Sequence, residues 1–238
     1  MKTIRMEVLF PEMSDLYGDT GNLVYLRKKL EKMGFSVETV RTALGDVPEF
    51  PYRQVDFLYL GPCTESQQQM QAQALMPYRD ALAARMGSGN VTLFTGNAFE
   101  LLGEYVAEEK GERFPCLGLI PTYAKRFTRL RYNDLSLGNW DDLEIVGYKN
   151  QLSHSYLQEG QRMNDCFLHM ERGSGLHPDS RQEGFRRNSF FATYLLGPIL
   201  PLNPGFAERI LEHMTSTAVP TFPFEWEAYQ SRLEEYRK

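Results

Sequence analysis

The N-terminal half of the chain alternates short apolar runs with helical spacings, and that order leaves few folds open. Residues 4–10 (IRMEVLF), 35–40 (FSVETV), 55–60 (VDFLYL) and 91–94 (VTLF) read as strands, because each is apolar or alternating and is bounded by turn formers. Between the first two runs, Leu23, Leu26, Leu30 and Met33 recur at three- and four-residue spacing, and Gly34 supplies a helix stop. A longer polar helix is expected from about Gln67 to Met86, bent or ended near Pro77, whose ring lacks an N–H and clashes with the preceding turn. Strands alternating with helices predict an α/β fold, a mostly parallel sheet flanked by helices. Function in such sheets collects at the carboxyl ends of the strands. The loops after Phe10, Leu60 and Phe94 are therefore the ones to examine.

The second half is less regular. Residues 117–135 carry the alternation of antiparallel strands, residues 143–148 and 190–196 read as strands, and residues 160–187 are rich in Gly, Ser, Asn and Arg and read as long loops. Phe206 to Met214 reads as a short helix, and a polar helix bearing aromatics is expected from Phe224 to Lys238. With 238 residues, no repeat and no linker, one domain over 1–238 is expected, with a C-terminal helical extension at about 216–238.

Composition narrows the function classes. A net charge of −5 argues against a nucleic-acid-binding face. Cys63, Cys116 and Cys166 are odd in number and form no CxxC pair, so neither a zinc site nor a disulfide framework is expected, and free thiols fit a reducing cytosol. No apolar stretch approaches the length of a membrane span, and the run from Met6 to Phe10 is broken by Pro11. The expectation is a cytoplasmic protein with no membrane partner, no cofactor and no metal.

A strand, a sharp turn and a helical segment at VTLF-Thr95-Gly96-Asn97-AFELLG have the layout of a nucleophile elbow. Four segments around it are characteristic in combination: LYGDTGN (Leu16–Asn22), GPCTESQQQ (Gly61–Gln69), LFTGNAFELLG (Leu93–Gly103) and TYLLGPILPLNP (Thr193–Pro204). CLGLIPTYAKR (Cys116–Arg126) and VGYKNQ (Val146–Gln151) add to them. In this order they resemble the triad-type glutamine amidotransferases of the cobyric acid synthase group, and within it the amidotransferase subunits of lipid II isoglutaminyl synthases. The resemblance covers roughly residues 5–212 and implies the flavodoxin-like fold of class I glutamine amidotransferases.

The departures from the family pattern carry as much as the matches. The family's elbow residue is a cysteine that attacks the amide of glutamine; here that position is Thr95. The family's histidine precedes G-P-L-L-P; here it is Leu196, which carries no proton. The glycine-rich loop that gives N–H groups to the oxyanion reads Gly61-Pro62-Cys63, and proline has no N–H. The second pocket segment, roughly G-F-E-N-H in the family, reads Gly147-Tyr148-Lys149-Asn150-Gln151. A threonine hydroxyl needs an adjacent base to become a nucleophile. The resemblance therefore implies a degenerate amidotransferase without glutaminase chemistry and without catalytic residues. Its pocket would be built from Gly61, Cys63, Glu65, Thr95, Gly96, Asn97, Asn150, Gln151 and Leu196. It would serve as a structural or regulatory subunit of an ATP-dependent ligase or synthetase. Two other readings stay open here: an amidotransferase or amidohydrolase, in cobyric acid synthesis or cell-wall amidation, with a rearranged site using Thr95 or Cys63, and a binder of a glutamine-like small molecule.

The remaining polar residues have plainer readings. Asp15, Tyr17, Asp19 and Asn22 are expected to form a turn in which Asp19 or Thr20 caps the next helix. Arg126, Arg129 and Arg131 alternate along a strand and read as a solvated face. His154 reads as a surface or hydrogen-bonded histidine, and His169 and His177 lack acidic or cysteine partners at metal-ligand spacing. The aromatics from Phe224 to Tyr229 either dock a partner or pack back on the domain.

Overall fold

Strands buried on both faces need helices on both sides, and the apolar runs read above are assembled in that way. The computed structural model describes residues 2–238. The N-terminal half supplies β1 (Thr3–Leu9), α1 (Gly21–Lys32), β2 (Ser36–Thr42), β3 (Phe57–Leu60), α2 (Glu65–Leu75), α3 (Arg79–Gly87) and β4 (Val91–Thr95). A 3-10 turn, Met76–Tyr78, separates α2 from α3 at Pro77, as the missing proline N–H requires. There follow β5 (Tyr105–Ala107), β6 (Arg113–Pro115), β7 (Thr122–Arg126), β8 (Tyr132–Trp140), β9 (Leu143–Gln151) and β10 (Ser153–Leu157). Then come β11 (Leu168–Arg172), β12 (Gln182–Glu183), β13 (Phe185–Arg187), β14 (Phe190–Thr193), α4 (Ile199–Leu202), α5 (Pro204–Thr215) and α6 (Pro223–Tyr236).

The central sheet runs β13-β14-β4-β3-β1-β2. Its pairings from β14 through β2 are parallel, and β13 joins the β14 edge antiparallel. Two four-stranded sheets, β10-β7-β5-β6 and β12-β11-β8-β9, are antiparallel apart from the β5–β7 pair. The mostly parallel α/β architecture is as expected from the sequence.

Three details differ from expectation. The segment after Thr95 is a 3-10 helix, Gly96–Leu102, in place of an α-helix. The strand expected over 190–196 ends at Thr193, because the next residues leave the sheet to pair with β9: Leu196 N–H donates to Tyr148 C=O at 2.9 Å and Tyr148 N–H returns to Leu196 C=O at 3.2 Å. The region 160–187 is not all loop. In β11, Leu168 and Met170 turn inward while His169 and Glu171 face out, and this short alternation was hidden by its polar surroundings.

The central sheet meets the β8–β11 sheet through an aromatic cluster. Phe206 of α5 is fully buried, with ring centroids 5.1 Å from Phe191, 5.3 Å from Phe167 and 5.4 Å from Trp140. The C-terminal helix packs back: Tyr229, Leu233 and Tyr236 bury against Leu137 and Val146, while Phe224 stays 81% exposed. The ammonium of Lys29 sits 3.4 Å from the Phe222 ring centroid and pairs with Glu225, which ties the start of α6 to α1. Arg126 is a correction to the solvated-face reading. It is buried, and its guanidinium bonds to Glu108 and to Gln68 Oε1 at 2.5 Å, whereas Arg129 and Arg131 are exposed.

Removing the Phe206 ring leaves a void bounded by three other aromatics. Phe206→Ala is expected to lower the unfolding free energy by about 3–5 kcal/mol, read from urea titration followed by circular dichroism.

Candidate functional site

Three strand ends of the central sheet converge at Gly96. Its φ of +58° lies in the left-handed region that glycine adopts freely. A Cβ on Gly96 would stand 2.7 Å from Pro62 Cβ and 3.1 Å from Leu196 Cδ2. The loop after β3 and the segment after β14 therefore close directly over the turn after β4. Gly61 is equally constrained, since a Cβ there would meet the Ser14 carbonyl at 2.3 Å.

Thr95 is fully buried beneath this closure. Its hydroxyl donates to the Asp19 carboxylate and lies 3.1 Å from the Tyr59 hydroxyl. Tyr59 donates to the same Asp19 oxygen. Asn22 donates to the Asp19 carbonyl at 3.0 Å, and its own Oδ1 accepts from Leu200 N–H at 2.9 Å, which fixes the segment after Leu196. Burial pushes the Asp19 carboxyl up to about 6, against the opposing effect of the Thr95 and Tyr59 hydroxyls. Asp19 therefore does not cap α1 as expected. No side-chain cap bond forms at Thr20, and Thr20 N–H instead donates to Asp15 Oδ1 at 2.8 Å.

The space above the elbow is small. The cleft holds about 20 Å³, room for one water. Cys63, Glu65, Gly96, Asn97, Asn150, Gln151 and Leu196 line it. Thr95 and Gly61 do not line it and lie beneath, the first under Gly96 and the second against Ser14. Cys63 is buried, and its backbone is clamped by Asn97: Cys63 N–H donates to Asn97 Oδ1 at 3.0 Å and Asn97 Nδ2 donates to Cys63 C=O at 2.9 Å. Burial, with Glu100 and Glu65 nearby, pushes the Cys63 thiol up to about 12. A thiol so protonated is a poor nucleophile.

Most of the other polar positions are bonded within the protein, while Gln151 Oε1 and His154 Nε2 are buried without a partner. Lys149 is fully buried and donates to the Ser174 and Gly175 carbonyls at 2.6 Å each, with Glu183 Oε1 at 3.9 Å. Burial lowers the Lys149 pKa and raises that of Glu183, which accepts from Thr193 Oγ1 and Tyr194 N–H, both at 2.8 Å. Gln151 Nε2 donates to Ser153 C=O at 2.6 Å. His154 is neither on the surface nor fully bonded. It is buried edge-on to Tyr132, its Nε2 has no partner, and burial pushes it down to about 4. None of the four histidines lines the cleft. Among the described residues, no group of His, Cys, Asp and Glu side chains could hold a metal ion.

Sequence reasoning did not single out Tyr59, Glu100 or Glu183. Glu100 accepts from Gln68 Nε2 at 2.8 Å, from Tyr194 Oη at 2.9 Å and from Ser153 Oγ. Its signal was present, a single acid inside the apolar run AFELL, because an acid so placed must be buried with donors around it.

The Asp19 carboxyl gives a pH signature. Its folded-state pKa of about 6 lies above its ordinary 3.8, so between these values the native state keeps a proton that the unfolded chain has released. Stability falls as pH rises through that window and then levels. Asp19→Asn, which retains an acceptor oxygen, removes the penalty. Its stability relative to wild type is expected to rise by up to about 3 kcal/mol between pH 4 and pH 7, measured by urea unfolding at both pH values.

Comparison with known proteins gives the family and the fold. Residues 6–204 match the CobB/CobQ-like glutamine amidotransferase domain. The chain is 27% identical over 205 residues to the GatD subunit of lipid II isoglutaminyl synthase (glutamine-hydrolyzing) of Streptococcus pneumoniae, covering 85% of this chain and 77% of that protein. It is 25% identical over 203 residues to the corresponding GatD subunit of Staphylococcus aureus, covering 84% and 81%. A solved glutamine amidotransferase superposes with a TM-score of 0.53 at 13% identity, over 88% of this chain and 98% of that one, which supports the fold. The order of segments, the elbow after β4 and the match over most of its length place this chain in the CobB/CobQ-like glutamine amidotransferase family.

Proposed function

We propose that this chain is an amidotransferase-like subunit that does not hydrolyse glutamine and that acts as a structural or regulatory partner of an ATP-dependent amide ligase. The observation that carries the reading is the closure of the elbow: Pro62 and Leu196 pack on Gly96 and leave about 20 Å³ above a buried Thr95. Glutaminase chemistry by the family route needs a nucleophile, a base, N–H donors for the oxyanion and room for a side-chain amide. Here the nucleophile position is a hydroxyl already donated to Asp19, and the base position is a leucine. The oxyanion loop carries a proline, and the room is that of one water.

Asp19 does not rescue Thr95 as a base. Both groups are fully buried, so neither solvent nor substrate reaches the pair, and a base that cannot meet a substrate has no reaction to serve. Cys63 fares no better with its thiol at about 12. The ligase partner is argued from the relatives: the two GatD proteins are named as subunits of lipid II isoglutaminyl synthase. By that likeness the partner is a ligase that amidates a cell-wall precursor.

Glutamate release from L-glutamine, assayed for the purified chain alone and with its co-purified ligase, tests the reading. Wild type and Thr95→Ala are both expected to stay at the no-enzyme background. Turnover that disappears in Thr95→Ala overturns the loss of chemistry. Absence of any ATP-dependent ligase from affinity-purified complexes of the native host overturns the partner assignment.

A further inference from the structure

The carboxyl ends of the parallel strands hold the closed elbow, but their amino ends are open. A cavity of about 570 Å³ lies beside Val91, at the start of β4, and Ser189, just before β14. A second hollow of about 340 Å³ shares Arg186, Asn188, Ser189 and His213 with it, so the two form one groove. Its size is that of a small-molecule site. It lies the length of β4 away from Thr95, about 13 Å at ~3.3 Å per residue.

The lining is organised. β13 and β14 form a tight hairpin whose connecting residues are Asn188 and Ser189. Asn188 has φ +53° and donates through Nδ2 to Met86 C=O at 2.8 Å, which holds the turn against the end of α3. Arg186 and Ser189 are thereby brought to the same groove. Ser189 is buried, with Oγ 2.8 Å from His213 Nε2 of α5, which also donates to the Gly89 carbonyl and is thereby held in place. Trp140 and Phe191 supply an aromatic floor, and the guanidiniums of Arg186 and Arg209 lie 5.3 Å and 5.4 Å from the Trp140 ring centroid. The indole Nε1–H of Trp140 is buried without an acceptor.

Charge singles out Arg186. Arg187 pairs with Asp165 at 2.6 Å, and Arg209 pairs with Asp142 and, at 3.8 Å, with Asp141. Arg186 donates only through Nε, to Asn188 C=O at 3.2 Å, and among the described residues no carboxylate pairs with it. The two terminal nitrogens of its guanidinium are thus available, beside a serine hydroxyl and an imidazole. The one carboxylate in the lining is that of Glu212. A phosphoryl group offers three oxygens, enough to meet both terminal nitrogens of Arg186 and the Ser189 hydroxyl at once. The forked geometry of a guanidinium matches phosphate oxygens.

We propose that this groove binds a small phosphate monoester, with the phosphoryl oxygens on Arg186, Ser189 and His213 and the attached group lying on Trp140 and Phe191. Nothing in this assignment depends on whether the elbow is active. Trp140 and Trp226 are the two tryptophans of the chain, so Trp226→Phe leaves Trp140 as the fluorescent reporter. The probes are AMP, inorganic phosphate and adenosine, titrated into the full chain. AMP is expected to change Trp140 emission saturably, inorganic phosphate to compete with it, and adenosine to have no effect. Arg186→Gln is expected to weaken AMP binding roughly tenfold or more, while Arg187→Gln leaves it within about twofold. His213→Ala, at an exposed position, gives a second variant that is expected to weaken AMP several-fold if Arg186→Gln fails to fold. The proposal is overturned if neither AMP nor phosphate binds up to about 10 mM. It is equally overturned if adenosine binds as well as AMP, or if Arg187→Gln weakens AMP as much as Arg186→Gln does.

Discussion

A carboxylate withdrawn from water must be given donors by its own protein, and Asp19 shows what that requirement does to a fold. Its oxygen takes the hydroxyls of Thr95 and Tyr59, so the loop after β1 and the ends of β3 and β4 are held to one point. Asn22, one turn along in α1, carries the tie to Leu200 and so to the segment that follows β14. With these four strand ends fixed, Pro62 and Leu196 have one place to go, onto the bare Cα of Gly96. The closed elbow is thus a consequence of buried polar bonds as much as of apolar packing.

A second layer of polar bonds extends the same logic. Glu100 collects Gln68, Tyr194 and Ser153, and Arg126 joins Gln68 to Glu108. Behind them Lys149 and Glu183 spend their hydrogen bonds on backbone and on Thr193. A buried group whose bonds are made internally has none left for a substrate, and breaking such a bond costs more than the bond contributed. The polar side chains around the elbow therefore work as ties between loops. The groove at the amino ends of β4 and β14 differs on this point, since Arg186 there keeps two nitrogens uncommitted.

Local pattern made much of this legible. The four N-terminal strands, the break at Pro77, the helix α1 and the elbow turn all followed from spacing and from glycine and proline chemistry. Thr95, Leu196 and Pro62 stood in the sequence, while the structure brings Cys63, Glu65, Gly96, Asn97, Asn150, Gln151 and Leu196 around one cleft and leaves Thr95 and Gly61 outside its lining. The failures have one form. A local window makes Asp19 a helix cap, Arg126 a surface charge and His154 a surface or satisfied group, because each neighbouring sequence is polar and says nothing about what arrives from elsewhere in the chain. Asp19 meets residues 40 and 76 positions away, and Arg126 meets one 58 positions away.

The sequence by itself determined the class of sheet, its helical cover and the identities of Thr95, Leu196 and Pro62 around the elbow, since these rest on periodicity and on residue identity. Only the tertiary structure decided which polar groups are buried and where space remains. Burial and volume are set by side chains from distant segments converging on one point. The same residue types that read as solvated in a local window become ties when a second and third element close over them.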